Sequence, residues 1–241
     1  MRYPASEKLE IIKVVKSVVG SKVKVLSGAG DNETSYTVEQ AKRSQDAGAD
    51  GILIVTPYYN KPPQAGIEAH FRAVAAATDL PIMMYDIPGR CGIEIEPDTI
   101  VELYEHPQIV ALKDAKGNVA STSWVIKRCA IPVYSGDDIL NLPLLSVGAV
   151  GFVSVCGHSV GAELKQMLIW SGNDDVWNAI MLERNRMVTE RKKAEAEAAH
   201  AKAVKAEEIS DIVNFGLWSA LVASIVGLVA WLTWQIVGDG R

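Results

Sequence analysis

Ile109-Val110-Ala111-Leu112-Lys113-Asp114-Ala115-Lys116-Gly117 is a short apolar run that ends on a lysine and breaks into a polar turn closed by glycine. The run is too short for a helix, and it is continuous rather than alternating. That is the mark of a parallel strand covered on both faces. The same texture returns at 23–27, 52–56, 82–85, 133–135 and 151–155, each time followed by a turn rich in Gly, Pro, Asp or Asn. Helical stretches at 37–47, 65–77 and 98–106 lie between these runs. A strand–helix–strand rhythm implies a parallel sheet with right-handed crossovers, in an α/β chain. On the rhythm alone a doubly wound sheet and a (β/α)8 barrel both fit. In either fold the groups just after the strands make the site.

Composition narrows the classes. The chain has 241 residues, 49% hydrophobic and 22% charged, enough apolar content for a proper core. Its net charge of −5 argues against a nucleic-acid partner. Cys91, Cys129 and Cys156 are widely spaced and form no CxxC, so buried thiols in a reducing compartment are expected rather than a disulfide framework. The first residues have no apolar signal-peptide region. His70, His106, His158 and His200 are isolated, and no metal motif is expected. Gly28-Ala29-Gly30-Asp31 follows a strand but lacks the third glycine of a dinucleotide fingerprint.

The texture changes after Gly172. Residues 173–210 read as a helical spacer rich in Ala, Glu and Lys. Residues 212–238 hold no charge, with Trp218 toward one end and Trp231 and Trp234 toward the other. That exceeds the ~20 apolar residues of a membrane span. The expected division is therefore 1–172 as an α/β domain, 173–210 as spacer, and 211–241 as a transmembrane helix with a short tail. Arg191, Lys192, Lys193, Lys202 and Lys205 precede the apolar segment and only Arg241 follows it, which puts the α/β portion in the cytoplasm.

Chemistry centres on Lys113. A lysine stem inside a barrel loses solvation, which lowers its pKa, and a neutral amine can attack a ketone to form an imine. Position alone does not single it out, since lysines at strand ends are common. Tyr85 ends the preceding strand, Pro81-Ile82-Met83-Met84-Tyr85, so its phenol is expected beside the amine as a proton carrier. Arg90, in the Pro88-Gly89-Arg90 turn, suits bidentate capture of a carboxylate.

Five motifs stand in order along the chain: Gly28-Ala29-Gly30, Val55-Thr56-Pro57-Tyr58-Tyr59-Asn60-Lys61-Pro62, Tyr85-Asp86-Ile87-Pro88-Gly89-Arg90, Leu112-Lys113-Asp114 and Ser135-Gly136-Asp137-Asp138. With Gly151-Phe152-Val153-Ser154-Val155 they resemble the dihydrodipicolinate synthase family over about 6–172. The resemblance implies a (β/α)8 TIM barrel, commonly a homo-oligomer, that condenses pyruvate with L-aspartate semialdehyde in lysine and diaminopimelate biosynthesis. It needs no cofactor beyond a covalent imine on Lys113. Tyr85 and Tyr59 would relay protons, Tyr59 across a subunit interface. Arg90 would hold the semialdehyde carboxylate, and Gly136, Asp137 and Val153 would line the pocket. The sialic acid lyase and sugar-acid aldolase branches share the lysine and tyrosine; Arg90 and the Gly-Asp-Asp turn favour the synthase. The family carries two strands and a Gly-Thr-Thr-Gly-Glu loop before the equivalent of 23–27. Met1-Arg2-Tyr3-Pro4 stands where that loop would end. A six-strand, incomplete barrel is therefore expected, with a membrane-anchored, catalytically impaired remnant as the competing outcome.

Overall fold

The structure, a computed structural model, describes residues 5–172, 190, 193–202 and 205. The segment 212–238 lies outside the described residues, as does most of the spacer. Among the described residues no helix is long and apolar enough to cross a membrane. The chain divides into two units, Met1–Val188 and Thr189–Arg241. In the second, residues 190, 193–202 and 205 are helical and exposed.

The first unit alternates helix and strand: α1 (Ala5–Val19), β1 (Leu26–Gly28), α2 (Thr34–Asp46), β2 (Gly51–Val55), α3 (Gln64–Ala75), β3 (Ile82–Asp86), α4 (Pro88–Cys91), α5 (Pro97–Tyr104), β4 (Ile109–Asp114), α6 (Val119–Cys129), β5 (Val133–Ser135), α7 (Asn141–Ser146), β6 (Gly151–Phe152) and α8 (Gly157–Trp170). All neighbouring strands pair in parallel, and the sheet order is β1-β2-β3-β4-β5-β6. A doubly wound sheet reverses direction at a switch point. This one never does, so successive right-handed crossovers keep their helices on one side. The fold is TIM-barrel-like, and the described residues supply six of the eight strands of a closed barrel.

Strand alternation gives the sheet two different faces. Ile52, Ile54, Ile82, Met84, Leu112 and Val133 pack outward against Ile67 and Phe71 of α3, Ile100 and Leu103 of α5, and Val125 of α6. The other face carries a smaller cluster, Met83, Val110 and Ala111 with Leu53, Tyr134 and Val153. Helix starts follow local chemistry. Pro97 opens α5, where its missing N–H costs nothing, and the Asn118 side chain accepts the Ser121 N–H at 3.0 Å to cap α6.

Two strands differ from their sequence-based limits by more than one residue at an end. The expected 23–27 starts later, at Leu26, and leaves Val23 exposed. The expected 151–155 stops at Phe152. There the N–H groups of Val155 and Cys156 turn away from the sheet to the Asp138 carboxylate, at 3.1 and 3.0 Å, so the ladder cannot continue.

The helix layer contains one group that titrates against the fold. His70 of α3 is buried, its Nδ1 2.9 Å from Thr34 Oγ1 and its ring edge-on to Phe71, while Nε2 has no hydrogen-bond partner. Burial lowers its pKa to about 4. The folded state thus holds the neutral ring while the unfolded chain takes up a proton below about 6.5. Stability from this group is complete above pH 6.5 and falls as pH drops toward 4, by about 3 kcal/mol. Melting of His70→Gln and the parent between pH 7 and 4.5 should show the shallower acid decline in the variant; parallel curves would refute the assignment.

Candidate active site

The C-terminal ends of β3, β4 and β5 bring three side chains into one row. Tyr85 pairs in register with Lys113, and Lys113 with Tyr134. Neighbouring parallel strands point registered residues to the same face, so Lys113 stands between two tyrosines. Its Nζ lies 3.9 Å from the centroid of the Tyr85 ring, within cation–π range. Lys113 is only 9% exposed. Burial lowers its pKa, an effect that the Asp138 carboxylate partly opposes. An amine with a depressed pKa, against a phenol, is the arrangement that imine chemistry needs.

Tyr85 is half-buried, and burial pushes its phenol up; Cys91 and Asp137 add to the shift and Arg90 opposes it. Its carbonyl accepts from both the N–H and the hydroxyl of Thr56 at the end of β2, each at 3.3 Å. Gly136 follows β5 and touches the lysine. A β-carbon there would stand 2.8 Å from Lys113 Cε and 2.9 Å from Cγ, so only glycine leaves the stem its place. Gly151 similarly accommodates the Tyr134 ring, which would lie 3.0 Å from an added β-carbon. Val153 joins the apolar cluster beneath the row. Asp137 is exposed, and its carboxylate accepts the Ile139 N–H at 3.3 Å.

Tyr59 stands apart from that row, and Arg90 lies to the row's side, near enough for its charge to act on the Tyr85 phenol. Arg90, in the short helix α4, and Tyr59 line a cavity of about 690 Å3 together with Tyr58, Lys61 and Cys91. Lys113 and Tyr85 are not in its wall. Tyr59 is 88% exposed and has φ 71°, the left-handed region that a bulky residue enters only under local constraint. The Pro57–Pro62 loop is held on both sides of it: Tyr58 Oη donates to Asp31 Oδ2 at 3.1 Å and Asn60 Nδ2 to the Asn32 carbonyl at 3.0 Å. The described chain therefore joins Lys113, Tyr85, Gly136 and Val153, and presents Tyr59 to the outside.

Several residues of the site escaped the sequence reading. Asp138, beside the expected pocket residue Asp137, is the carboxylate that acts on Lys113, and hydrogen bonds from Ser154, the Cys156 N–H and Asn141 hold it well below the usual carboxylate range. Both aspartates stand in one turn, and nothing in their spacing separates them. Tyr134 could have been found by counting from the strand ends, since it stands level with Lys113, whereas Thr56 lies one residue beyond Val55, the partner of Tyr85. Among the described residues no group of His, Cys, Asp and Glu could hold a metal ion.

The sequence profile of the dihydrodipicolinate synthetase family matches residues 3–207. A 4-hydroxy-tetrahydrodipicolinate synthase of Streptomyces coelicolor is 51% identical over 175 residues, 73% of this chain and 58% of that protein. The synthase of Acidothermus cellulolyticus is 51% identical over 178 residues, 74% of this chain and 58% of that protein. This chain thus spans a little over half the length of these relatives. Among solved structures, the Cyanidioschyzon merolae synthase with lysine bound superposes with a TM-score of 0.67 at 48% identity, covering 69% of this chain and 57% of that one. The Acinetobacter baumannii synthase complexed with pyruvate superposes with a TM-score of 0.69 at 33% identity, covering 79% and 66%.

Proposed function

The chain belongs to the dihydrodipicolinate synthetase family, and from that premise we propose that it acts as a lysine-dependent pyruvate aldolase of the 4-hydroxy-tetrahydrodipicolinate synthase type. The observation that carries the reading is the buried Lys113 amine 3.9 Å from the Tyr85 ring centroid. Lys113 Nζ attacks the keto carbon of pyruvate, water leaves, and an imine forms. Loss of a proton from the methyl group turns the imine into an enamine, which attacks the aldehyde carbon of L-aspartate semialdehyde. The protonated imine nitrogen accepts the electron pair, so no separate cofactor is needed.

Tyr85 carries protons to and from the reacting carbons. Tyr59 acts from its exposed loop on the site of a second copy of the chain, which makes the working form a homo-oligomer. Arg90 receives the semialdehyde carboxylate, where a guanidinium makes two parallel hydrogen bonds. Gly136, Asp137 and Val153 shape the pocket around the imine. The synthase names of relatives at 51% identity support an acidic aldehyde as the acceptor rather than a sugar acid.

The test is reductive trapping. Full-length chain incubated with pyruvate and borohydride should gain one reduced pyruvyl group, located on Lys113 by peptide mass analysis. Addition of L-aspartate semialdehyde should compete with trapping and yield condensation product. Absence of any adduct, under conditions that label a relative, would overturn the proposal.

A further inference from the structure

A second set of polar groups lies directly behind the Tyr85–Lys113 pair. Asp86 and Asp114 are the next residues in β3 and β4, so alternation turns them to the opposite face, and they too pair in register. They are 0% and 1% exposed. Lys116 Nζ lies 2.8 Å from Asp86 Oδ2, donates to the Ile95 carbonyl at 3.0 Å and stands 3.5 Å from Glu94 Oε2. The Ile95 N–H donates to Asp86 Oδ1 at 3.1 Å. Asp114 Oδ1 accepts the Lys116 N–H at 2.9 Å, and Oδ2 accepts the Thr122 hydroxyl at 2.5 Å. Main-chain bonds complete the bracket: the Ala115 N–H reaches the Asp86 carbonyl at 2.9 Å and the Gly136 N–H the Asp114 carbonyl at 2.7 Å.

A sealed ion pair is a poor source of net stability, because desolvation offsets its attraction. Its geometry is nevertheless stiff, since any slip of one strand end strands a charge without a partner. Burial works against the Lys116 ammonium, yet Asp86, with Asp114 and Glu94, outweighs it and keeps the ammonium charged. The stiff point falls one residue from each reacting side chain.

We propose that the buried Asp86–Lys116 pair, with Asp114–Thr122, positions Tyr85 and Lys113 from behind the sheet, making Lys116 a positioning residue for imine formation. This rests on the imine reading above. Lys116 touches no substrate; it acts through the strand ends. An ion pair serving the fold alone would leave trapping untouched in any variant that folds.

The experiment follows pyruvate trapping on Lys113 in full-length chain, beginning with the parent. A parent without adduct defeats the imine reading itself; the variants are informative once the parent is labelled. The double variant Asp86→Asn/Lys116→Met removes both charges of the pair and leaves the Asp114 carboxylate to its hydrogen bonds from the Thr122 hydroxyl and the main-chain N–H of residue 116. Its folding is checked by thermal melting. Its trapping rate at saturating pyruvate should fall about tenfold or more, because small displacements of reacting groups cost rate steeply. The pyruvate concentration for half-maximal rate should change much less. A folded double variant that traps at the parent rate overturns the proposal. If the double variant does not fold, Thr122→Val decides. It exchanges a hydroxyl for a methyl of equal size and should slow trapping roughly 3- to 10-fold, the scale of one lost hydrogen bond; the parent rate there also overturns it.

Discussion

Lys113→Met is expected to abolish pyruvate trapping, by a factor on the order of 10³ or more, because it removes the buried amine that forms the imine. The loss should come without unfolding. Methionine fills nearly the same volume as the lysine stem, and the position is only 9% exposed. Removing an amine that burial already disfavours as a cation should leave the melting temperature unchanged or raise it. This combination separates a reactive lysine from a structural one, since loss of a structural lysine would lower stability first. The pH dependence points the same way. Only the neutral amine attacks a ketone, so in the parent the trapping rate should climb with pH and level off below the range of an ordinary lysine, near 10.4. A plateau at or above that range would show that Lys113 is not depressed. Residual adduct in Lys113→Met would show that another lysine reacts.

Gly136→Ala is expected to be the second most damaging single change. The new methyl would stand 2.8 Å from Lys113 Cε, 2.9 Å from Cγ and 3.1 Å from Ala115 Cβ, so something must move. The lysine is the softest of the three, and pushing its stem aside carries the amine off the Tyr85 ring. A displacement near 1 Å at a reacting atom costs about 10²-fold in rate. Overpacking should also cost about 1–3 kcal/mol of stability, well short of unfolding. Gly28→Ala is the matched control, because a methyl there meets nothing within 4 Å. Trapping rates and thermal melts on both variants check the contrast. Equal trapping in Gly136→Ala and Gly28→Ala would mean that the lysine stem has room that the structure does not leave it.

The fold was largely legible from the sequence because its signals are local. Apolar runs such as Ile109-Val110-Ala111-Leu112 identify buried strands, and the turns after them identify where polar groups gather. Five of the strand starts lie within one residue of the sequence reading, and the one that moved, β1, sits at the sheet edge, where fewer neighbours constrain it. The two strand ends that moved had tertiary causes. β6 stops because a carboxylate of the preceding motif, Asp138, takes the N–H groups of Val155 and Cys156. No periodicity reports such a partner.

The site divides along the same line. Lys113 and Tyr85 could be placed side by side from strand position alone, since adjoining parallel strands bring their ends together. Which carboxylate acts on the lysine could not, because Asp137 and Asp138 differ only in the direction that one turn gives them. The polar bracket of Asp86, Asp114 and Lys116 was also hidden. In a linear reading these are charges in a turn, and only the packing of α5 and α6 on the sheet turns them into sealed groups that must pair.

Sequence by itself determined that this chain alternates strands with helices and ends one strand on Lys113, because hydrophobic periodicity is written residue by residue. The strand–helix rhythm left a barrel wall and a doubly wound sheet both open; the family resemblance favoured the barrel, and the tertiary structure lays the strands in chain order, as a barrel wall requires. Tertiary structure alone decided that the Lys113 amine rests 3.9 Å from the Tyr85 ring centroid, with Gly136 pressed against its stem. Those are distances between segments far apart in the chain. They are set by how all the strands and helices pack together, and no single stretch of residues contains them.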